Sequence, residues 1–536
     1  MQTVSDSWKN AHEQILLGES FVEVSLDIAD PDASKFASSA DNGAIYISNS
    51  AQVTDGIDTK PAPYCTLEQN LWCLDGTRQA IPSSEYGETG FVSYALSDDN
   101  CIFSTKLPVI SIYFEDVFDK LIPGITITWS STYGEWADTF TVVAYNADEV
   151  VAEREVVGNK SVKSLVFVDI VGYNRIDVIV KKWCLPNHRA RVEDIVIGIR
   201  KIYGKSELFD YSHKQTTDPV STSLPKNEIK FSIANLDGEY NPYNTSGLSR
   251  YLTDRQEVKV RYGLKMGDGT VEWIQGGSFY LSEWYAKQNG NSAEFVARDV
   301  LEFMSDEYHD TDFVASMVVT GRTLYELAEL VLKATDLPTT SDGSPRWYLD
   351  SSLRNIKSYA PLPIDSISNC LQMIANAGMC TILIDRNGAI RIEPLSITES
   401  DYSIDSFNSY TKPEITLTKP IKAIIVKEYS YTGTNYRNYD IEKEDVVTPV
   451  GSSGETITLD NPLITSPDVA ENVGKWLATH LSHRATLDMA WRSDVRLDGL
   501  DLVTVSNAYT SNKVRMTDVE FKYNGAFRGT GKGKVI

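Results

Sequence analysis

The chain has 536 residues, 42% apolar and 23% charged, the proportions of a globular protein rather than a disordered one. Its formal net charge of -24 and pI near 4.7 exclude a sequence-reading nucleic-acid binder, which needs a basic footprint to neutralise phosphates. No stretch approaches the ~18 apolar residues of a membrane span, and the six cysteines (Cys65, Cys73, Cys101, Cys184, Cys370, Cys380) include no C-x-x-C pair, so neither a zinc knuckle nor a disulfide framework is expected.

The length suggests roughly three or four domains, and the Tyr, Trp, Thr and Val content leans towards β structure. Met1 to Asn10 has no basic segment followed by an apolar core, so a signal peptide is not expected; release by lysis of the producing cell, or a cytoplasmic home, fits instead. Residues 1 to 19 read as a short amphipathic helix, with Trp8, Ala11, Ile15 and Leu16 at helical spacing, and Phe21 to Ile28 as an alternating strand. From Ala44 to Gly204 the pattern is almost wholly short strands: Gly90–Ala95, Val109–Phe114, Gly124–Ser130, Thr139–Tyr145, Glu149–Val157, Ser164–Asp169, Arg175–Trp183 and Ala190–Tyr203. Such a series, broken by Gly, Asn and Asp turns, predicts a β sandwich or jelly roll.

The rim loops of a sandwich carry binding, because rigid sheets hold them while their sequence varies. Two stretches stand out, Ser130 to Asp138 and Lys181 to Arg191. In them Tyr133, Trp136 and Trp183 are placed to stack on sugar faces, and Glu135, Asn187 and Arg189 to hydrogen-bond hydroxyls. The competing reading is that these aromatics fill the core, their commonest use in β sandwiches, and that His188 is a loop residue rather than a ligand.

Beyond Gly204 the alternation resumes. Ile229, Phe231 and Ile233 share one strand face, Asp237-Gly238 and Asn241-Pro242 supply turns, and strands are expected at Glu257–Gly263, Val271–Ile274, Gly277–Trp284 and Ser292–Ala297. Thr323-Leu-Tyr-Glu326 is a capping box opening a helix with Leu324, Leu327, Ala328, Val331 and Leu332 on one face. A second helix spans Asp365 to Ala377 and stops at Gly378, and Cys380 to Glu393 is a hairpin about Asn387-Gly388. Strands return at Ile421–Tyr429 and Gly454–Asp460. Ser466-Pro467 starts a last helix running to about His483, and Arg528 to Ile536, basic and Gly-rich, reads as an edge strand or a mobile tail.

No catalytic pattern emerges. His480 and His483 lie on adjacent helical turns without a third ligand nearby in sequence, Cys370 and Cys380 belong to apolar surroundings, and no G-x-S-x-G or phosphate-binding glycine loop is present. Acidic pairs in a chain with 74 Asp and Glu do not single out a glycosidase. No catalytic activity, cofactor or metal is expected.

Asp218-Pro-Val220, Leu224-Pro225, the Phe231-to-Pro242 block, Val271-Glu-Trp273, Gly277 to Trp284 and Ala297-Arg-Asp299, in that order and spacing, resemble the tail hub, or tail-tip baseplate, proteins of bacteriophages, especially phages of Gram-positive bacteria. Asn461 to Ile464 and Phe521 to Phe527 extend the resemblance. Residues 44–204 resemble the galactose-binding-like, carbohydrate-binding-module-like jelly rolls of phage tails. The resemblance implies a mainly β, multidomain architecture with α+β parts. Its domains would be 1–43 (helix and first strand of a hub β domain), 44–204 (inserted jelly roll), 205–315 (hub β domain continued), 316–400 (small α/β domain) and 401–536 (C-terminal β domain with one helix). It further implies a homotrimeric ring at the distal end of the virion tail, assembled in the host cytoplasm and closing the tail tube. Partners would be the tube or distal tail protein, the tape-measure protein, and a tail fibre or receptor-binding protein, with DNA passing through unread and a host glycan as a further ligand. An acidic lumen would repel that DNA. The alternatives are a carbohydrate-binding adhesin acting through the jelly roll, and a cell-wall glycoside hydrolase with an accessory binding domain.

Overall fold

The computed structural model describes residues 1–12, 14, 18–29, 37–45, 47–54, 63–73, 75–78, 89–245, 247–252, 255–286, 290–314, 316–335, 337, 345–432, 440–492, 494–506 and 510–536. The protein is mainly β and builds three cores.

The first core lies on a 13-stranded sheet. Eleven strands form a path, Gly198–Tyr203, Ser20–Ala29, Glu257–Lys265, Val271–Ala286, Ser292–Arg298, Lys226–Ala234, Leu208–Thr216, Ser511–Tyr523, Phe527–Val535, Ala485–Trp491 and Glu414–Leu417, and two lie off it, Leu502–Ser506 on Ser511–Tyr523 and Glu399–Ile404 on Leu502–Ser506. Period-two alternation sets the inward face, as in the first strand, where Val22, Val24, Leu26 and Ile28 are all buried. The strands expected at Val271–Ile274 and Gly277–Trp284 are one strand, irregular opposite Val260 and Arg261, where the ladder slips by one residue. Antiparallel pairing from Tyr211↔Tyr523 to Thr216↔Asp518 fuses the N-terminal and C-terminal parts of the chain into this sheet. The helix at the N-terminus is shorter than expected, Asp6–His12, with Trp8 buried; Ile15 and Leu16 lie outside the described residues.

The last strand corrects an expectation. Phe527–Val535 is neither an edge nor a tail but an interior strand, paired on both sides with Ser511–Tyr523 and Ala485–Trp491. Its glycines at 529 and 533 face inward and are buried, while Arg528 and Lys532 face out. At Gly529 the neighbour is the Trp491 ring, which occupies the space a side chain would need.

The second core is built from helices Leu324–Lys333, Ile367–Ala377 and Pro467–Leu481 against two three-stranded sheets. The capping box forms as expected, with Glu326 N donating to Thr323 Oγ1 at 3.2 Å and Thr323 N to Glu326 Oε2 at 2.8 Å. Cys370 and Cys380 are buried here, their thiols pushed up to about 12 by that burial. Ile424, Val426, Leu463, Ile464, Val473 and Leu477 also belong to this core, whereas Leu487, Met489, Trp491 and Phe521 belong to the first. The stretch 401–536, expected as one unit, is thus shared between two cores: the apolar face of Pro467–Leu481 and the inward face of Ile421–Thr432 cover the earlier helices rather than the large sheet.

The third core lies between two facing sheets. A five-stranded sheet (Ser38–Asn42, Val109–Phe118, Tyr173–Trp183, Ala137–Asn146, Glu149–Val157) encloses Trp129, Phe140 and Trp183 with a three-stranded one (Asp194–Val196, Ile122–Thr128, Lys163–Ile170). The strand expected at Ala190–Tyr203 is three pieces, and the last, Gly198–Tyr203, leaves the two-sheet unit to pair with Ser20–Ala29. Conversely Ser38–Asn42 joins that unit, on Val109–Phe118. The crossing is sealed by buried charge: Arg200 donates from Nε to Asp27 Oδ1 at 2.7 Å, from Nη2 to Asp27 Oδ2 at 2.9 Å and from Nη1 to Asp194 Oδ2 at 3.1 Å.

Asp299 ends the strand Ser292–Arg298 and caps the turn Val300–Phe303, accepting from Leu301 N at 3.0 Å. It is buried, and its Oδ2 has no hydrogen-bond partner among the described residues. Burial pushes its carboxyl up to about 7. A carboxyl with a raised native pKa contributes most below its unfolded value and loses that contribution as pH rises through about 7. Asp299→Asn is therefore expected to raise stability at pH 8 by about 2 kcal/mol and to flatten stability between about pH 4 and 8, measured by urea unfolding. An unchanged pH profile would show that Asp299 does not govern it.

Candidate functional site

The residues expected at the rim lie on and beside the turn Ser130–Glu135 and in and just before the strand Arg189–Val192. The turn Ser130–Glu135 is closed by reciprocal backbone bonds, Ser130 N to Glu135 O at 3.1 Å and Glu135 N to Ser130 O at 3.0 Å. Tyr133 projects from it to clasp the segment 63–73: its Oη donates to Tyr64 O at 3.0 Å and accepts from Tyr64 N at 2.9 Å. Burial pushes its phenol up to about 12. Glu135 accepts from Trp183 Nε1 at 2.9 Å, meets His188 Nδ1 at 2.8 Å and lies 3.6 Å from Arg191. Arg191 pairs with Glu68 at 2.5 Å, and Glu68 also accepts from Arg189 N at 2.8 Å.

This geometry corrects two of the sugar-contact expectations. Glu135 and Trp183 are buried and bonded to each other, with Trp183 set edge-on against Trp129, so neither presents a face or an edge to a ligand. Both are framework, because the sheet places their side chains inward and the carboxylate satisfies the indole N–H. His188 is likewise buried. Desolvation works against its protonation, but the bond to Glu135 and the charge of that carboxylate outweigh it and raise the imidazole pKa. Trp136 is half-buried on the jelly-roll core. Arg189 is half-buried and donates from Nη1 to Ser93 O at 3.0 Å and to Tyr94 O. Asn187, held at a φ of 58°, donates to Asp99 Oδ1 at 3.1 Å and Gln69 Oε1 at 3.4 Å.

The sequence reading missed the aromatics that are open at this rim. Trp72 is 57% exposed and Tyr94 is 71% exposed. Tyr94 stands on the strand Phe91–Leu96, which pairs with Arg189–Val192. Trp72 follows Gln69 in the segment clasped by Tyr133.

A second surface lies at the end of the large sheet. Among the described residues the strand Glu414–Leu417 pairs only with Ala485–Trp491, in the register Ile415↔Leu487 and Leu417↔Ala485. Cross-strand partners share a face. The face that buries Leu487, Met489 and Trp491 therefore continues onto Ile415 and Leu417, yet these are 57% and 64% exposed. Beside Leu417, Thr418 N donates to Arg484 O and Arg484 Nε to Thr418 O, each at 2.9 Å. His480, considered above with His483 as a metal pair, packs its ring on Trp476 at 5.7 Å. Burial and the neighbouring charges of Arg515, His483 and Lys534 lower its pKa, a cationic setting that disfavours a metal ion.

No helix among the described residues is long and apolar enough to cross a membrane. No protein-family model matches the chain, and no curated protein matches it. Among solved structures it is similar to the 43 kDa tail protein of prophage MuSo2 from Shewanella oneidensis, at 10% identity and a TM-score of 0.41, over 63% of this chain and 94% of that one. It is similar to the tail protein from Neisseria meningitidis MC58 at 10% identity and a TM-score of 0.40, over 63% and 93%. A chain of the p2 virion baseplate in its activated conformation aligns at 11% identity and a TM-score of 0.26, over 65% and 92%. These three neighbours are tail and baseplate proteins.

Proposed function

We propose that this chain is a structural component of a phage tail tip, a baseplate hub that closes the distal end of the tail tube. The observation that carries the reading is that the two stretches bearing the sequence resemblance, 205–304 and 455–536, far apart in the chain, each send strands into one sheet, side by side through the pairing of Leu208–Thr216 with Ser511–Tyr523. In this reading the chain is a homotrimer. It meets the tube or distal tail protein on one side, the tape-measure protein within and a fibre or receptor-binding protein beyond, and opens to let DNA pass. The work is mechanical and needs no catalytic group or cofactor. The surplus of acidic over basic residues suits a lumen through which DNA slides. The test is mass spectrometry of tail particles banded in a density gradient from a lysate of the producing strain. Peptides of this chain in the particle band are the expected result, and their confinement to the soluble fraction would contradict the reading.

A second reading, host-glycan contact by the jelly roll, is favoured by the open Trp72 and by the open Tyr94, whose carbonyl accepts from Arg189. Aromatic faces and fixed amide and guanidinium groups suit a pyranose, which has one apolar face and a hydroxyl edge. A glycan array probed with the full chain and with Trp72→Ala/Tyr94→Ala decides it. Binding lost in the variant supports the reading; no binding by the parent chain leaves the insertion as a docking surface or spacer.

A further inference from the structure

We infer that Cys65 and Cys73 are a redox-active pair, a modification site at which oxidation closes the loop 65–73 with a disulfide and fixes the two exposed apolar side chains that the loop carries, Leu67 and Trp72. The inference goes beyond the tail reading and does not depend on it.

The loop is already drawn into a ring. Cys65 Sγ donates to Cys73 O at 2.6 Å, and Leu71 N donates to Glu68 O at 3.1 Å in the turn between them. With C=O and Cα–C bonds of about 1.2 and 1.5 Å, the first contact keeps Cys65 Sγ within about 5 Å of Cys73 Cα, close enough for the Cys73 thiol to turn onto it. Both cysteines lie outside the strands, so the bond asks for movement of a turn and not of a sheet. The rest of the loop is anchored independently. Glu68 is buried on Arg191 and accepts from Arg189 N, Tyr133 clasps Tyr64 just before the loop, and Arg78 Nη1 donates to Leu71 O at 2.7 Å just after it. Leu67, 92% exposed, and Trp72 are left facing solvent.

The two thiols differ in access: Cys73 is half-buried and Cys65 is buried. Cys73 is therefore the entry thiol and Cys65 the resolving one. The oxidant is a low-molecular-weight disulfide. The Cys73 thiolate attacks one of its sulfurs, forming a mixed disulfide and expelling one small thiolate. Cys65, giving up its proton, then attacks Cys73 Sγ, breaks the mixed bond and expels the second. Two protons from the cysteines end on the two small thiols, and two electrons pass from the pair to the oxidant. The other four cysteines are poorer candidates. Burial pushes the Cys184 thiol up to about 11 and raises that of Cys101, and Cys370 and Cys380 are enclosed in the second core. Exchange needs a thiolate, which a raised pKa withholds. Reducing surroundings leave the loop open and oxidising ones close it. A closed loop of this length loses conformational freedom before any ligand arrives, so contact through Trp72 costs less ordering entropy.

The test is peptide mass mapping of the purified full chain, equilibrated in glutathione buffers from reduced to oxidised and trapped by alkylation under denaturing conditions. All six cysteines are expected to be alkylated from the reduced buffer. From the oxidised buffer, Cys65 and Cys73 are expected to be lost to alkylation and recovered in a linked peptide about 2 Da lighter than its reduced form, with the other cysteines unchanged. Cys65→Ser, with the circular dichroism of the parent, is expected to hold Cys73 as a mixed disulfide with glutathione, because the resolving thiol is gone. A folded parent in which Cys65 and Cys73 remain alkylatable in the oxidised buffer, or in which either is linked to a different cysteine, would overturn the inference.

Discussion

Asp27→Ala is expected to lower unfolding free energy by about 3 to 5 kcal/mol, because it strips one partner from a buried charge. Arg200 and Asp27 are both buried, and their bidentate pair lies where Gly198–Tyr203 passes from the third core to the large sheet. Asp194, on the strand Asp194–Val196 of that core, holds the guanidinium from its other side. Without Asp27 the largely buried guanidinium loses its bidentate partner and keeps Asp194, and the register Asp27↔Arg200 loses its side-chain support. Desolvation opposes ionisation of Asp27, yet the charge and hydrogen bonds of Arg200 prevail and hold its pKa below the ordinary carboxylate value. A depressed carboxylate contributes stability that is present above its unfolded pKa and lost as pH falls through the native one. The loss caused by Asp27→Ala is therefore expected in full at neutral pH and to shrink in acid. Urea unfolding at pH 7 and at about pH 3 measures both. A deficit under about 1 kcal/mol at neutral pH would show that the triad does not hold the seam.

Gly529→Val is expected to destabilise by about 3 kcal/mol, at the upper end for overpacking. A Cβ at this position would lie 2.7 Å from Trp491 Cε2 and 2.9 Å from Cζ2, atoms of a rigid ring that is itself fully buried. Interiors are packed too densely for such a ring to step aside, so the strand or the indole must shift. Thermal unfolding measures the effect, and Trp491→Leu in the same chain is expected to recover part of it, since the collision is with the ring. A Gly529→Val chain melting with the parent would mean that the strand pairs less tightly than the register implies.

Local features were legible in the sequence because they are short-range. The capping box at Thr323 and Glu326 and the alternation of Val22, Val24, Leu26 and Ile28 needed no knowledge of what lay opposite. Allegiance was not legible. The strand Gly198–Tyr203 alternates equally well for either sheet, and only Arg200 meeting Asp27 and Thr126 shows that it serves both. The face of Pro467–Leu481 is apolar whichever core it covers. At the rim, Trp183 and Trp72 are the same residue type in similar company. The N–H partner on Glu135 makes the first framework, whereas the second is open. Arg528–Ile536 read as an edge strand or a tail because glycine lowers strand propensity, but a glycine opposite a buried indole is a packing requirement. The edge at Ile415 and Leu417 was hidden for the opposite reason: its alternation announces a strand and says nothing of a missing neighbour.

The central claim is that this chain sits at a tail tip, and gold-labelled antibody imaging of particles released from the producing strain tests it most directly. With an antibody raised against residues 44–204, label concentrated at the free end of tails is the result expected. Label absent from every particle, with the antigen soluble in the lysate, would contradict it.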